Sequence, residues 1–142
     1  IPWTPDPTHG WGPDPWLPFP PDADRLAAVA HEHDESSMLH LYRRLLALRR
    51  GSTALRAGDM ELLDTGHDDV IAYRRSSGDD TLEVAVNFAD ESRRVGPDDG
   101  SSTLVASSLH QRDRPGSRFD GVLAPREAVV VGPGGVHPVD PA

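Results

Sequence analysis

Cysteine and lysine are both missing from this 142-residue sequence, and no apolar run approaches the length of a membrane span. Without cysteine there is no disulfide framework, and no thiolate is available to bind a metal ion or act as a nucleophile. Acidic residues outnumber basic ones by 23 to 14, and the resulting net charge of -9 argues against a nucleic-acid partner. No signal peptide is visible, so we expect a cytoplasmic protein that does not contact a membrane.

Regular secondary structure is not expected in residues 1–21. This stretch holds eight of the fourteen prolines and all three tryptophans, Trp3, Trp11 and Trp16. In one interpretation the indole rings pin an irregular loop onto a neighbouring surface. In the other they form a carbohydrate-binding rim, because flat indole faces stack on sugar rings. The two interpretations are compatible, and the three tryptophans are the candidate substrate-binding residues.

Residues 34–51 carry the only helical period in the sequence, and an apolar cluster in residues 22–33 predicts a short helix before it. Asp34, Ser36 or Ser37 can cap the first free amides, and Gly51 is expected to supply a left-handed stop. Seven large apolar residues project onto one side: Met38, Leu39, Leu41, Tyr42, Leu45, Leu46 and Leu48. Because this side is wider than a surface helix needs, we expect it to cover a large hydrophobic body.

After Gly51 the hydrophobic period changes from 3.6 to 2. Short strands are predicted at residues 60–65, 70–75, 81–88, 103–107, 119–123 and 128–131, with a hairpin turn at Gly78. Consecutive strands without intervening helices predict an antiparallel β-sandwich, of meander or Greek-key type. Alternation in the third strand predicts that Val84, Val86 and Phe88 are buried. The expected core is Leu62, Val70, Ile71, Tyr73, Val84, Val86, Phe88, Leu104 and Val130.

The residue pattern assigns no catalytic residue. The run from His31 to Glu35 has the residue types of a metal site, but a helical zinc-protease motif would need histidine at position 35. We therefore expect a solvated helix entrance there, with no metal and no cofactor. Four acidic pairs lie in predicted turns, where solvation alone accounts for them: Asp68-Asp69, Asp79-Asp80, Asp90-Glu91 and Asp98-Asp99.

Several segments together resemble the C-terminal end of α-glucosidases of the α-amylase superfamily, glycoside hydrolase family thirteen, near the oligo-1,6-glucosidase branch. These segments are Ile1-Pro2-Trp3-Thr4, Gly10-Trp11-Gly12, Trp16-Leu17-Pro18, the helix from Ser37 to Arg50, Gly58-Asp59-Met60-Glu61-Leu62-Leu63 and Val86-Asn87-Phe88. The resemblance extends from Ile1 to about Val131, and the helix is its most specific part.

The resemblance implies an N-terminal loop and α-helix left from a (β/α)₈ barrel, followed by an antiparallel β-sandwich. Residues 1–58 would be the last loop and helix of the truncated catalytic barrel, residues 59–131 the sandwich, and residues 132–142 a flexible tail. The implied partners are the upstream catalytic barrel of the same parent chain and its α-glucoside oligosaccharide substrate. The family's catalytic carboxylates would lie upstream of Ile1, so none is carried over.

Three residues can be matched to the family's substrate pocket. Trp3 matches a tryptophan that closes a motif beside the sugar, and Trp11 and Trp16 match loop aromatics. The resemblance leaves the bond specificity open between α-1,4 glucosides, α-1,6 glucosides and sucrose.

Two hypotheses follow from these patterns. The chain is either the non-catalytic C-terminal portion of an α-glucosidase, or a free-standing carbohydrate-binding or structural β-sandwich module. A free-standing module should bury the apolar side of the helix on its own sandwich, whereas a fragment should leave it uncovered.

Overall fold

The computed structural model describes residues 1–132. The helices are α1 (Ala23–Leu26), α2 (Ala28–His31), α3 (Met38–Gly51) and α4 (Thr53–Ala57). The strands are β1 (Asp59–Leu63), β2 (Val70–Ser77), β3 (Asp80–Asn87), β4 (Arg93–Arg94), β5 (Leu104–Ser107), β6 (Val122–Leu123) and β7 (Ala128–Val131). The chain divides into two compact units, one spanning Ile1–Ala47 and the other beginning at Leu48. The predicted flexible tail lies, apart from Gly132, outside the described residues.

Helix α3 begins at Met38, later than the predicted start at Asp34. The Asp34 carboxylate accepts hydrogen bonds from the backbone N–H and the hydroxyl of Ser36, at 2.9 and 2.6 Å, so it closes its own turn. The hydroxyl of Ser37 takes the capping position, 3.5 Å from the backbone nitrogen of His40. Of the three candidate caps, the last one therefore starts the helix.

The end of α3 also differs from the prediction. Gly51 is the last helical residue and does not adopt a positive φ, so it supplies no left-handed stop. Helix α3 stops before Ser52, which caps the next helix. The hydroxyl of Ser52 accepts a 3.1 Å hydrogen bond from the backbone nitrogen of Leu55 in the first turn of α4. The connector predicted after Gly51 thus contains a short helix.

Five strands form one antiparallel sheet in the order β1-β2-β3-β7-β5, and β4 and β6 form a second, two-stranded sheet. All six predicted strands are present, and β7 has the predicted ends. Gly78 has a φ of 59° in the two-residue turn between β2 and β3, a conformation that favours glycine. Strand β4 was not predicted, because its two arginines carry no hydrophobic alternation.

The main core joins residues of both sheets. It comprises Val70, Ala72, Ala85, Val95, Leu104, Phe119, Leu123, Val129 and Val131, with the half-buried Leu63 packed against it. Leu123 comes from β6, and Val95 directly follows β4, so both parts of the small sheet contribute. The expected antiparallel sandwich is confirmed, and its core lies between its two sheets.

The buried face of β3 is the opposite of the predicted one. Glu83, Ala85 and Asn87 are buried, whereas Val84 and Val86 are half-buried. Phe88, Leu62 and Ile71 were also predicted to be core residues but are 52, 72 and 52 % exposed, and Tyr73 is only half-buried. Val70, Leu104 and Val130 are buried as predicted.

Hydrogen bonding explains why polar residues occupy the inner face of β3. The side-chain amide of Asn87 donates to the carbonyl oxygens of Glu91 and Ala124 at 2.8 and 2.9 Å, and its oxygen accepts from the backbone nitrogen of Ala89. Glu83 forms a 2.8 Å ion pair with Arg74 on the neighbouring strand. Burial costs these groups little because they have partners.

Candidate functional site in the tryptophan-bearing loop

The loop that precedes α1 is irregular but held in place by its own hydrogen bonds. The carboxylate of Asp6 accepts from the backbone nitrogen of Thr8 at 2.9 Å and from the hydroxyls of Thr4 and Thr8. These donors stabilise the ionised form and lower the pKa of Asp6 to about 2. Asp6 therefore organises a turn and stays ionised at neutral pH.

His9 anchors the middle of the loop. It is one of the few buried polar residues, its Nδ1 lies 3.0 Å from the carbonyl oxygen of Thr4, and its ring meets Phe19 edge-on at 4.3 Å. The carboxylate of Asp24 lies 3.7 Å from the same nitrogen. This anchor was not predicted, although a histidine beside Gly10 in a proline-rich stretch was a visible signal.

Backbone hydrogen bonds fix Trp3 at the start of the loop. Its nitrogen donates to the carbonyl oxygen of His9 at 2.9 Å, and its carbonyl oxygen accepts from Val29 in α2 at 3.1 Å. Gly10 has a φ of 79°, and a Cβ atom there would lie 3.0 Å from the Cβ of Trp3. Glycine is required at position 10 for both reasons.

Trp11 and Trp16 line a shallow apolar pocket of about 360 Å³. Its other described lining residues are Ile1, Pro2, Pro15, Leu17, Pro18, Phe19 and Pro20, and none of these carries an ionisable side chain. The indole nitrogen of Trp11 donates to the carbonyl oxygen of Ile1 at 2.7 Å, which fixes that ring, whereas Trp16 is 94 % exposed. Trp3 is 48 % exposed and is not one of the lining residues.

Two of the three candidate tryptophans are thus brought together, and the third lies apart from their pocket. The arrangement offers apolar ring faces next to a proline-rich backbone, which suits the apolar faces of a sugar ring. It offers no acid or base for chemistry among the described lining residues.

The acidic pairs of the second unit are tied into its structure. Asp69 pairs with Arg93 at 2.7 Å and Asp90 with Arg126 at 2.7 Å, while Asp98 pairs with Arg118. The expectation that solvation alone accounts for these turns was wrong, because one member of each pair holds two segments of the sandwich together or caps a helix.

Asp80 is the member that caps a helix. Its carboxylate accepts from the hydroxyl of Ser52 and the backbone nitrogen of Ala54, both at 2.8 Å. These donors lower the pKa of Asp80, as the paired arginines lower the pKa of Asp69 and Asp90. A general acid needs the opposite shift, so none of the three suits that role.

In the run from His31 to Glu35, which precedes α3, Glu32 contacts two side chains of that helix. Nε2 of His40 lies 2.9 Å from the carbonyl oxygen of Glu32, and the Glu32 carboxylate lies 3.6 Å from Arg43. Within residues 1–132, no group of three or more His, Asp or Glu side chains is placed to hold a metal ion. No helix of this described part is both long and apolar enough to cross a membrane.

Comparison with known proteins places the second unit in a family. Residues 61–131 match the family described as "Domain of unknown function (DUF3459)". The chain belongs to this family. The matched segment begins in β1 and ends with β7, so it covers the sandwich from its first strand to its last.

Curated relatives extend the similarity beyond the DUF3459 segment. A probable α-glucosidase of Rhizobium meliloti is 35% identical over 77 residues, which are 54% of this chain and 14% of the relative. The oligo-1,6-glucosidase of Bacillus cereus is 26% identical over 119 residues, 82% of this chain and 21% of the relative. The chain therefore spans less than a quarter of the length of these relatives.

Solved structures show the same relationship. The trehalulose synthase MutB from Pseudomonas mesoacidophila MX-45 superimposes with a TM-score of 0.72 at 26% identity, covering 92% of this chain and 24% of that one. The predicted resemblance to the C-terminal end of α-glucosidases of the α-amylase superfamily is confirmed. This chain corresponds to the non-catalytic C-terminal part of such enzymes.

Proposed function

We propose that this DUF3459 chain serves a parent enzyme that hydrolyses α-glucosidic bonds of oligosaccharides in carbohydrate metabolism. The supporting observation is that the likeness to MutB covers 92% of the chain, whereas the sandwich from β1 to β7 makes up only about half of it. The relatives named as glucosidases support the same class of substrate. The proposed partner is the upstream catalytic barrel of the same parent chain, with no nucleic acid involved.

The exposed side of α3 favours this proposal over a free-standing module. None of its fourteen residues is buried, and Met38, Tyr42 and Leu46 are 67, 63 and 48 % exposed. A self-sufficient module would lose stability by leaving such a side in water, since each fully buried large apolar side chain contributes about 1.5–3 kcal/mol. In the parent, these side chains would face the barrel.

In the proposed enzyme this chain contributes no catalytic group. Retaining glycosidases use two carboxyl groups about 5–5.5 Å apart, one of them kept protonated. The carboxylates described above are engaged by arginines, hydroxyls or backbone N–H groups that favour the ionised form. We therefore propose that the catalytic pair belongs to the upstream barrel and that no cofactor is needed.

The tryptophans are proposed to form part of the substrate rim. Trp11 and Trp16 share a pocket whose size and apolar lining suit one sugar ring, and Trp3 is proposed to contact substrate separately. Their role would be positioning, so their loss should weaken substrate binding more than it slows bond cleavage. We also propose that the protein is cytoplasmic. This location is compatible with the cysteine-free composition and can be tested by cell fractionation.

The experiment compares the 142-residue chain with its full-length parent on p-nitrophenyl α-glucoside and isomaltose. We expect turnover by the parent and none by the 142-residue chain. Turnover by the purified chain above the buffer rate would contradict the proposal, and so would an inactive parent.

The rim is tested in the parent with Trp16→Ala and Trp3→Ala, each beside a tyrosine replacement that keeps an aromatic face. We expect each alanine variant to raise KM by about five- to tenfold with a smaller change in kcat, because a stacking contact contributes about 1 kcal/mol. The tyrosine variants should recover most of the loss. An unchanged KM in an alanine variant would remove that residue from the rim.

A further inference from the structure

His9 has an uncommon backbone conformation. Its φ is 48°, in the left-handed region that residues with a Cβ atom seldom adopt, and the next residue, Gly10, also has a positive φ of 79°. The carbonyl oxygen of His9 accepts a 2.9 Å hydrogen bond from the backbone nitrogen of Trp3. Such a conformation costs free energy and persists only where the surrounding contacts hold the residue in place.

The imidazole of His9 supplies such contacts. Its Nδ1 lies next to two acceptors, the carbonyl oxygen of Thr4 at 3.0 Å and the carboxylate of Asp24 at 3.7 Å. Because a carbonyl oxygen accepts hydrogen bonds but cannot donate them, Nδ1 carries the hydrogen and donates it to Thr4. The ring therefore holds the segment that directly follows Trp3.

The same ring supports one wall of the apolar pocket. The ring centroids of His9 and Phe19 are 4.3 Å apart, and the two planes make an angle of 66°. An edge-on pair of this kind is a favoured arrangement of two aromatic rings. Phe19 lines the pocket, whereas His9 is not one of its described lining residues. His9 thus contacts the pocket wall without lining the pocket.

His9 connects the two parts of the proposed rim. Its carbonyl oxygen and its bond to Thr4 hold the segment that carries Trp3, and Phe19 belongs to the pocket of the other two tryptophans. His9 itself is only 8 % exposed, so it can act on a sugar only through these neighbours.

We propose that His9 is a positioning residue of the substrate rim, which holds Trp3 in place relative to the pocket lined by Trp11 and Trp16. This inference rests on the proposed function, because it takes the rim as a place where sugar binds. Holding the contacts in place before the sugar arrives lowers the cost of ordering them on binding. Loss of the imidazole should therefore weaken sugar binding although no tryptophan is changed.

Two substitutions separate the side chain from the backbone conformation. His9→Gly removes the imidazole, and glycine tolerates the positive φ, whereas alanine would add strain. His9→Asn also tolerates this conformation, and its amide nitrogen lies as many bonds from Cβ as Nδ1 does, so it can donate to Thr4. His33→Gly is the matched control, because His33 is an exposed histidine of the same unit.

The first measurement is the kinetics of the full-length parent with isomaltose. We expect His9→Gly to raise KM about tenfold and to change kcat by less than about twofold, because substrate positioning is lost and the proposed upstream carboxylates are untouched. His9→Asn should bring KM back to within about threefold of the unsubstituted parent, and His33→Gly should change neither constant. An unchanged KM in His9→Gly, or an equally high KM in His9→Asn, would overturn the proposal.

The second measurement is acrylamide quenching of tryptophan fluorescence in the 142-residue chain. All three tryptophans lie in this loop, so the signal reports on the loop alone. Trp3 and Trp11 are 48 and 57 % exposed, and freeing the loop in His9→Gly should raise the quenching constant about 1.5-fold. His9→Asn and His33→Gly should stay close to the unsubstituted chain. One quenching constant shared by all four proteins would overturn the proposal.

The two measurements also separate this proposal from the proposed function. A parent without glucosidase turnover would contradict the proposed function, while a quenching constant that rises in His9→Gly and is restored in His9→Asn would still support positioning by His9. A parent that hydrolyses isomaltose with the same KM in all variants would contradict the role of His9 alone.

Discussion

The sandwich and the N-terminal unit differ in how much of their apolar surface is buried. Within the sandwich, Leu123, Val95 and Val131 are fully buried between strands and loops of the same unit. In the N-terminal unit four large apolar side chains of α3 and all three tryptophans remain exposed, and the loop is held by hydrogen bonds. The four are Met38, Tyr42, Leu45 and Leu46. Stability therefore resides mainly in the sandwich, while the N-terminal unit presents apolar surface that a partner can cover.

The first prediction compares the loss of unfolding free energy when one leucine is replaced by alanine in each of the two regions. Leu123→Ala in the sandwich core should lower the free energy of unfolding by about 3 kcal/mol, through lost burial and the cavity left behind. Leu46→Ala in α3 should change it by about 0.5 kcal/mol or less, because that side chain is already half in water and alanine favours helix. Urea unfolding of the 142-residue chain measures both, and similar losses would break the contrast.

The second prediction concerns Glu127, a fully buried carboxylate of the sandwich. Glu127 is fully buried, and it accepts from the hydroxyl of Ser107, Nε of Arg112 and the backbone nitrogen of Ala124 at 2.6, 3.0 and 2.8 Å. Glu127→Ala leaves all three donors without their acceptor and should cost about 3 kcal/mol of unfolding free energy.

Glu127→Gln is the matched variant for this prediction. It keeps the shape and one acceptor oxygen, so the loss should be smaller, about 1–2 kcal/mol. Equal losses in the two variants, measured by urea unfolding, would show that packing and not hydrogen bonding decides the effect.

The third prediction concerns the exposed side of α3. The 142-residue chain should bind a hydrophobic dye or self-associate. The double variant Tyr42→Ser, Leu46→Ser should lose about half of the dye fluorescence, because Leu62, Ile71 and Phe88 of the sandwich stay exposed. The control is Arg43→Ser on the polar side of the helix. A parent chain that binds as much dye as the 142-residue chain would contradict the assignment of this side to an interface.

The smallest expected effect is a pH dependence of the sandwich. The Arg93 guanidinium holds the pKa of Asp69 below its ordinary value of 3.8. Because the folded-state pKa is the lower one, the pair contributes stability above pH 3.8 that is lost as the pH falls through the folded value. Asp69→Asn should therefore lower Tm at pH 7 and reduce its fall under acid, whereas Asp68→Asn should do neither. Parallel Tm curves for the two variants would contradict this assignment.

Much of the fold could be predicted from the sequence. Proline-rich residues 1–21 contain no helix or strand, the leucine-rich period produced α3, and the run at 128–131 became β7 with the predicted ends. Local chemistry is sufficient for these elements, because a missing N–H, a 3.6-residue period or a β-branched run acts within its own segment. The three tryptophans were likewise recognisable as candidates from composition alone.

Other features depended on contacts between distant segments. Alternation along β3 shows two faces but not which of them meets the second sheet, and the inner face proved to be the one with Glu83, Ala85 and Asn87. Their burial depends on partners such as Arg74 and the carbonyl oxygen of Ala124, the latter 37 residues away in the sequence. Likewise, only the folded loop places Trp11 and Trp16 around one pocket and leaves Trp3 apart.

The sequence by itself determined the period of each element, the irregular loop, the charge and the likeness to α-glucosidase C-terminal ends. The tertiary structure decided which side of each element is buried, which tryptophans share a pocket, and where apolar surface is left bare. The physical reason is that period and propensity depend on neighbouring residues, whereas burial depends on the element that packs across the sheet. For the exposed side of α3, and for Leu62, Ile71 and Phe88 of the sandwich, the described residues provide no such cover.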